Sequence, residues 1–100
     1  MAKSESVEDR IITWARDKGI FEGSSAGHQM KKLVEEVCEL REEIAEGRTA
    51  KAVMELGDVL VVSTILAHFL GSDVETCMEL ALNKITKRDG KMVNGLFVKD

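Results

Sequence analysis

The chain has no proline and no tyrosine, a single tryptophan and three phenylalanines among its 100 residues. With proline absent, breaks in regular structure have to come from glycine and short polar stretches. Cysteine is scarce too. Cys38 and Cys77 lie far apart, with no C-x-x-C pair and no Cys/His cluster, so both read as reduced thiols and a zinc site is disfavoured. The net charge of −4 provides no basic excess, which argues against a nucleic-acid duplex as partner. The polar, acidic start MAKSESVEDR does not resemble a secretory signal. The longest apolar run, Val59 to Leu70, is interrupted by Ser63, Thr64 and His68 and falls short of the roughly 20 residues that span a bilayer. A cytoplasmic protein with no membrane partner is the expectation. Internal repeats and low-complexity segments are also absent.

What is present suits one soluble domain over residues 1–100, since 44% hydrophobic residues can build a core and 32% charged ones a solvated surface. Gly19, Gly47, Gly71 and Gly90 each follow a segment of helical periodicity, where a left-handed C-terminal cap is favoured. Four stops predict four helices. The first runs from about Ser6 to Lys18, with Val7, Ile11, Trp14 and Ala15 on one face and Ser6 as its cap, backed by Asp9. The second follows the Gly23-Ser24-Ser25 loop and ends near Glu46, its stripe formed by Met30, Leu33, Val34, Val37, Leu40 and Ile44. The third runs from Thr49 to about Leu70 and is apolar nearly all round from Leu56, which one amphipathic layer cannot cover; a homo-oligomer is therefore expected. The fourth begins at a capping box, Ser72-x-x-Glu75, and continues to about Arg88. Beyond Gly90, Asn94-Gly95 between short β-prone runs predicts a small hairpin, and a frayed tail is the bland alternative.

Two acidic blocks carry the chemistry: Glu35-Glu36-x-x-Glu39, and Glu55-x-x-Asp58 at the start of the apolar part of the third helix. On a wheel turning about 100° per residue, Glu36 and Glu39 border the buried stripe of the second helix while Glu35 points away. Glu55 and Asp58 share the face that carries Val59, Val62, Leu66 and Phe69. A short connection makes the two helices antiparallel, which brings both pairs level, so Glu36, Glu39, Glu55 and Asp58 converge. Alone they would repel one another; one or two Mg²⁺ ions held by oxygen ligands would stabilise the ionised forms. A solvated acidic face is the common alternative for the first block, with Lys31, Lys32 and Arg41 available as helical ion-pair partners. No basic residue follows Glu55 or Asp58 within a turn, which weakens that alternative for the second block.

The run Gln29-Met-Lys-Lys-Leu-Val-Glu-Glu-Val-Cys-Glu-Leu, then Glu55-Leu-Gly-Asp58 and Asn83-Lys84-x-x-Lys87-Arg88, resembles the MazG-type all-α nucleoside triphosphate pyrophosphohydrolases over about sixty residues. The resemblance implies an all-α, four-helix-bundle-like fold, usually dimeric. It also implies Mg²⁺-dependent hydrolysis of an NTP or dNTP to the monophosphate and pyrophosphate, a reaction suited to cleansing or control of nucleotide pools. Mn²⁺ would be a substitute ion. By the same resemblance Glu36, Glu39, Glu55 and Asp58 match metal-ligand positions, and Glu35 matches an accessory acid. Glu35 and Glu39 are the candidates to orient or deprotonate the attacking water. Lys84, Lys87 and Arg88, an i, i+3, i+4 set on the expected fourth helix, are candidates for phosphate oxygens; the alternative is that they complement the helix dipole. Trp14 and Gln29 are candidates for contacting base or sugar, although a lone Trp on an apolar face is more often core. His28 and His68 receive no role. The phosphoribosyl-ATP pyrophosphohydrolases share related acidic motifs and are the rival enzyme reading, and a non-catalytic helical interaction module is the rival from another class.

Overall fold

Ser6 opens the first helix through a reciprocal cap: its hydroxyl accepts from the Asp9 backbone N–H at 3.1 Å, and the Asp9 carboxylate accepts from the Ser6 N–H at 3.3 Å. In the computed structural model, which describes residues 5–100, this helix α1 spans Val7–Asp17. The first four residues of the polar start bearing on a secretory signal lie outside the described residues. A one-turn helix, α2, follows at Ile20–Gly23, then α3 at Ala26–Ala45, α4 at Thr49–Phe69 and α5 at Val74–Ile85. The strands β1, Gly90–Val93, and β2, Leu96–Lys99, form an antiparallel hairpin.

The spine is the α3/α4 pair. Gly47 takes a φ of 71°, and behind it the Arg48 N–H returns to the Glu43 carbonyl and the Gly47 N–H to that of Ile44, which satisfies the last carbonyls of α3 and turns the chain back. The Arg48 guanidinium locks the corner on the Glu43 carboxylate through two bonds, of 2.6 and 3.2 Å. Gly71 closes α4 by the same pattern, with Ser72 N–H to Ala67 and Gly71 N–H to His68. α1 packs on α4, and α2 places Phe21 against His68 and Phe69, at ring separations of 4.7 and 5.3 Å. Glu8 of α1 accepts a bond from the Val74 N–H at 3.3 Å, so one helix caps the start of another 66 residues away.

Three sequence expectations change. The one-turn α2 occupies residues 20–23, between the expected end of the first helix and the loop, and takes in Gly23, the first residue of the expected Gly23-Ser24-Ser25 loop. The fourth long helix is capped by Asp73, whose carboxylate accepts from the Thr76 N–H at 2.8 Å and from its hydroxyl at 3.0 Å, in place of the expected Ser72–Glu75 box. It also ends at Ile85, short of Arg88, because the Thr86 hydroxyl donates to the Leu82 carbonyl at 2.9 Å and the chain tightens, with the Arg88 N–H reaching only Ile85. Gly90 therefore caps no helix. It begins β1, where a Cβ would lie 2.5 Å from both Phe97 Cζ and the Val98 carbonyl oxygen, so only glycine admits the Phe97 ring. The hairpin itself forms as read, its turn made by Asn94 and Gly95 with φ of 50° and 84°, the signs a type I′ turn requires.

Buried apolar side chains among the described residues are few: Ala15, Val62, Ile65 and Ala67. Of the expected α1 face only Ala15 is buried; Val7 and Trp14 are exposed. The accessible surface, 7898 Å², exceeds the roughly 5,700 Å² expected of a compact monomer of 11.1 kDa. The radius of gyration, 16.3 Å, likewise exceeds the roughly 13 Å usual for this length. At 21 residues α4 is long and apolar enough, by length and composition, to cross a membrane. Glu55 and Asp58 lie in its first half, however, and that half faces α3 with a carboxylate cluster.

The cap assignment makes a measurable distinction. Asp73→Ala is expected to cost about 1 kcal/mol in urea unfolding, the usual loss for an N-cap carboxylate, whereas Ser72→Ala is expected to stay within about 0.5 kcal/mol of the parent.

Candidate functional site

The α3/α4 pairing brings one oxygen each of Glu36, Glu39 and Glu55 within 4.8 Å of one another. Their environments differ. Glu36 is buried at 6% exposure, Glu55 is half-buried and Glu39 is exposed. The Oε2 atoms of Glu36 and Glu55 are both shut off from water with no hydrogen-bond partner, an arrangement that burial alone makes costly. The other oxygen of Glu36 sits 3.1 Å from Lys32 Nζ, one helical turn earlier.

These contacts set the charge states. The Lys32 ammonium holds the Glu36 carboxyl below its ordinary range against the opposing effect of burial, and Glu36 in turn holds Lys32 above its own. Glu55 goes the other way: loss of water, followed by the neighbouring charges of Glu39, Glu36 and Asp58, pushes its carboxyl up to about 7. Three carboxylates and one lysine leave the cluster short of positive charge. Their donor set is all oxygen, without sulfur or imidazole, which suits a hard divalent cation such as Mg²⁺. The two orphaned oxygens are where such an ion would find ligands. The residues therefore fit the group.

Asp58 is exposed and stands outside that trio, one turn along α4 from Glu55. It lines an adjoining cavity of about 420 Å³ together with Glu36, Lys32, Trp14 and Gln29, the floor being Ile20 and the α4 residues Val61, Val62 and Ile65. Trp14, at 50% exposure, is thus a wall of this cavity and not a core residue. Gln29 reaches the same wall while donating to the Ser24 hydroxyl at 3.0 Å. Glu35 is exposed and apart from the trio, as its wheel position indicated.

Lys84, Lys87 and Arg88 are not brought here. None of them lines the cavity, all three are exposed, and with α5 ending at Ile85 only Lys84 is helical, so the expected helical set does not form. Lys32 was the residue missed as a site member. Its i, i+4 spacing to Glu36 was legible, but the same spacing also reads as an ordinary surface pair.

The α3/α4 hairpin thus carries an acidic cluster of converging carboxylates beside a cavity. A family model described as the MazG nucleotide pyrophosphohydrolase domain matches residues 25–93, from the cap of α3 to the end of β1, and the chain belongs to that family. It is a family of hydrolases acting on nucleotides. Searches of the curated proteins and of the solved structures gave no match.

The raised Glu55 carboxyl has a pH signature in metal-free protein. Folding favours its protonated form, so its contribution to stability is fully present below the usual carboxylate value and is lost as pH rises toward 7. Glu36, being depressed, acts only below that window. In the presence of a chelator, Tm is expected to fall between pH 5 and 7.5 more steeply for the parent than for Glu55→Gln. Equal slopes would contradict the environment assigned to Glu55.

Proposed function

We propose that this chain is, as one domain over residues 1–100, a Mg²⁺-dependent nucleoside triphosphate pyrophosphohydrolase of the cytoplasm that works as a homo-oligomer. The observation that carries the reading is the trio of Glu36, Glu39 and Glu55, with two buried, unpartnered oxygens, opening beside a cavity walled by Trp14 and Gln29. Family membership supports the reaction class. The excess accessible surface supports association.

In this reading Glu36, Glu39, Glu55 and Asp58 would hold Mg²⁺, with Mn²⁺ able to replace it. The ion would neutralise charge on the phosphate chain and lower the pKa of a water. The chain's own residues do the rest. Lys32 keeps Glu36 ionised, and burial fixes the Glu36 carboxylate in place. Glu39, the exposed member of the trio, orients the water and takes its proton, with Glu35 as an auxiliary acid on the outer side of α3. Water oxygen bonds to the α-phosphorus as the bond from that phosphorus to the bridging oxygen breaks, and pyrophosphate leaves with the bridging oxygen. Trp14 offers a face for the base and Gln29 a donor or acceptor for base or sugar. Lys84, Lys87 and Arg88 are the proposed phosphate cations on the strength of charge and family motif, and they must come to the cavity from elsewhere than their observed positions.

Incubation with each NTP and dNTP plus Mg²⁺, followed by separation of products, tests the reaction. Monophosphate and pyrophosphate are expected; diphosphate and orthophosphate would refute attack at the α-phosphorus. Glu36→Gln and Asp58→Asn are each expected to lower kcat at least about 100-fold, the scale for removing a charge-stabilising group from a reacting centre, and full activity in either would refute its ligand role. The interaction-module alternative predicts no turnover with any nucleotide.

A further inference from the structure

The C-terminal hairpin is the least accounted-for part of the molecule. Cross-strand pairing sets Met92 opposite Phe97 and Val93 opposite Leu96, so Met92 and Phe97 occupy one face and Val93, Leu96 and Val98 the other. Both faces are apolar. Met92, Leu96 and Phe97 are 65%, 71% and 58% exposed, and every residue from 91 to 100 is open to solvent. An isolated two-stranded hairpin is marginal in water, and one with two apolar faces needs cover on both sides. Its own chain covers neither, while α5 presents a further uncovered apolar groove of about 410 Å³ lined by Met78, Leu82 and Ile85.

Two quantities identify the occupant as a second copy of this chain. The surface in excess of a compact monomer is about 2,200 Å² per chain, so a pair would bury roughly 4,400 Å², within the range of obligate homodimers. Charge is also divided along the sequence. Residues 90–99 carry Lys91 and Lys99 and no acidic residue, a net +2, which leaves −6 on the rest of the chain for the total of −4. A positive arm therefore complements the negative body of another copy.

We propose that residues 90–99 form an exchanged arm: each hairpin reaches a second copy and is covered there on both apolar faces, by that copy's α5 groove and by its helical body. This rests on the homo-oligomer part of the proposed function and not on its chemistry. Cover on both faces explains how so short a hairpin keeps its register, and why a segment outside the α3/α4 spine is rich in large apolar side chains.

Mixing isotope-labelled and unlabelled full-length chains and recording isotope-filtered NOEs tests the arm directly. Cross-peaks from the Phe97 ring or the Leu96 and Val98 methyls to helical side chains of the other copy are expected; NOEs confined to one chain would overturn the proposal. In sedimentation equilibrium, Phe97→Asp/Val98→Asp is expected to raise the dimer dissociation constant at least about 100-fold with helix content unchanged by circular dichroism. An unchanged constant in that folded variant would overturn the arm and leave the dimer standing. A parent chain that is monomeric at micromolar concentration would overturn both, while product formation from NTPs would still decide the catalytic reading. If the double variant fails to fold, the NOEs of the parent chain decide the question.

Discussion

Burial of Glu36 between α3 and α4 is the constraint on which the rest of the site depends. A carboxylate at 6% exposure survives only if its charge is answered, and Lys32 answers one of its oxygens from the neighbouring turn. The second oxygen is buried without a partner, in a cluster shared with Glu55, whose carboxyl burial and like charge push up to about 7. The helical pair thus pushes two acids of one cluster in opposite directions, Glu36 toward ionisation and Glu55 toward protonation, and a divalent cation would favour the ionised form of both. The sharp corner at Gly47, clamped by Arg48 on Glu43, fixes the relative height of the two helices and hence the spacing of the cluster.

Much of this was legible beforehand because it is local. The glycines after α3 and α4 marked their ends and Asn94-Gly95 marked the hairpin turn, whereas the apolar stripe expected to be buried on α3 is mostly open, with Met30, Val34, Val37 and Ile44 exposed and only Leu33 and Leu40 half-buried. What was not legible involved competition between near-equal local options. Ser72 and Asp73 are adjacent N-cap candidates, and the carboxylate of Asp73 wins by reaching both the backbone and the hydroxyl of Thr76. Thr86 ends α5 by bonding back to Leu82, a choice that composition does not reveal and that removes the helical alignment of Lys84, Lys87 and Arg88.

Wheel angles put four carboxylates on facing surfaces, but an angle does not fix how far each side chain reaches. Asp58 stands beside the cavity while Glu55, one turn earlier, enters the trio. Trp14, expected more often in a core, lines the cavity because the chain has so little core to offer it. The all-round apolar character of α4 and the exposed hairpin express that same shortage. Both leave large apolar side chains uncovered in the single chain.

The central claim is that the carboxylate cluster is a divalent-cation site. Titration calorimetry of Mg²⁺ into metal-free protein near pH 7, repeated in two buffers of different ionisation enthalpy, measures it most directly. The account predicts saturable binding accompanied by release of protons from Glu55, with both lost in Glu55→Gln. Absence of binding in the folded parent chain, or binding of equal strength in the variant, would contradict it.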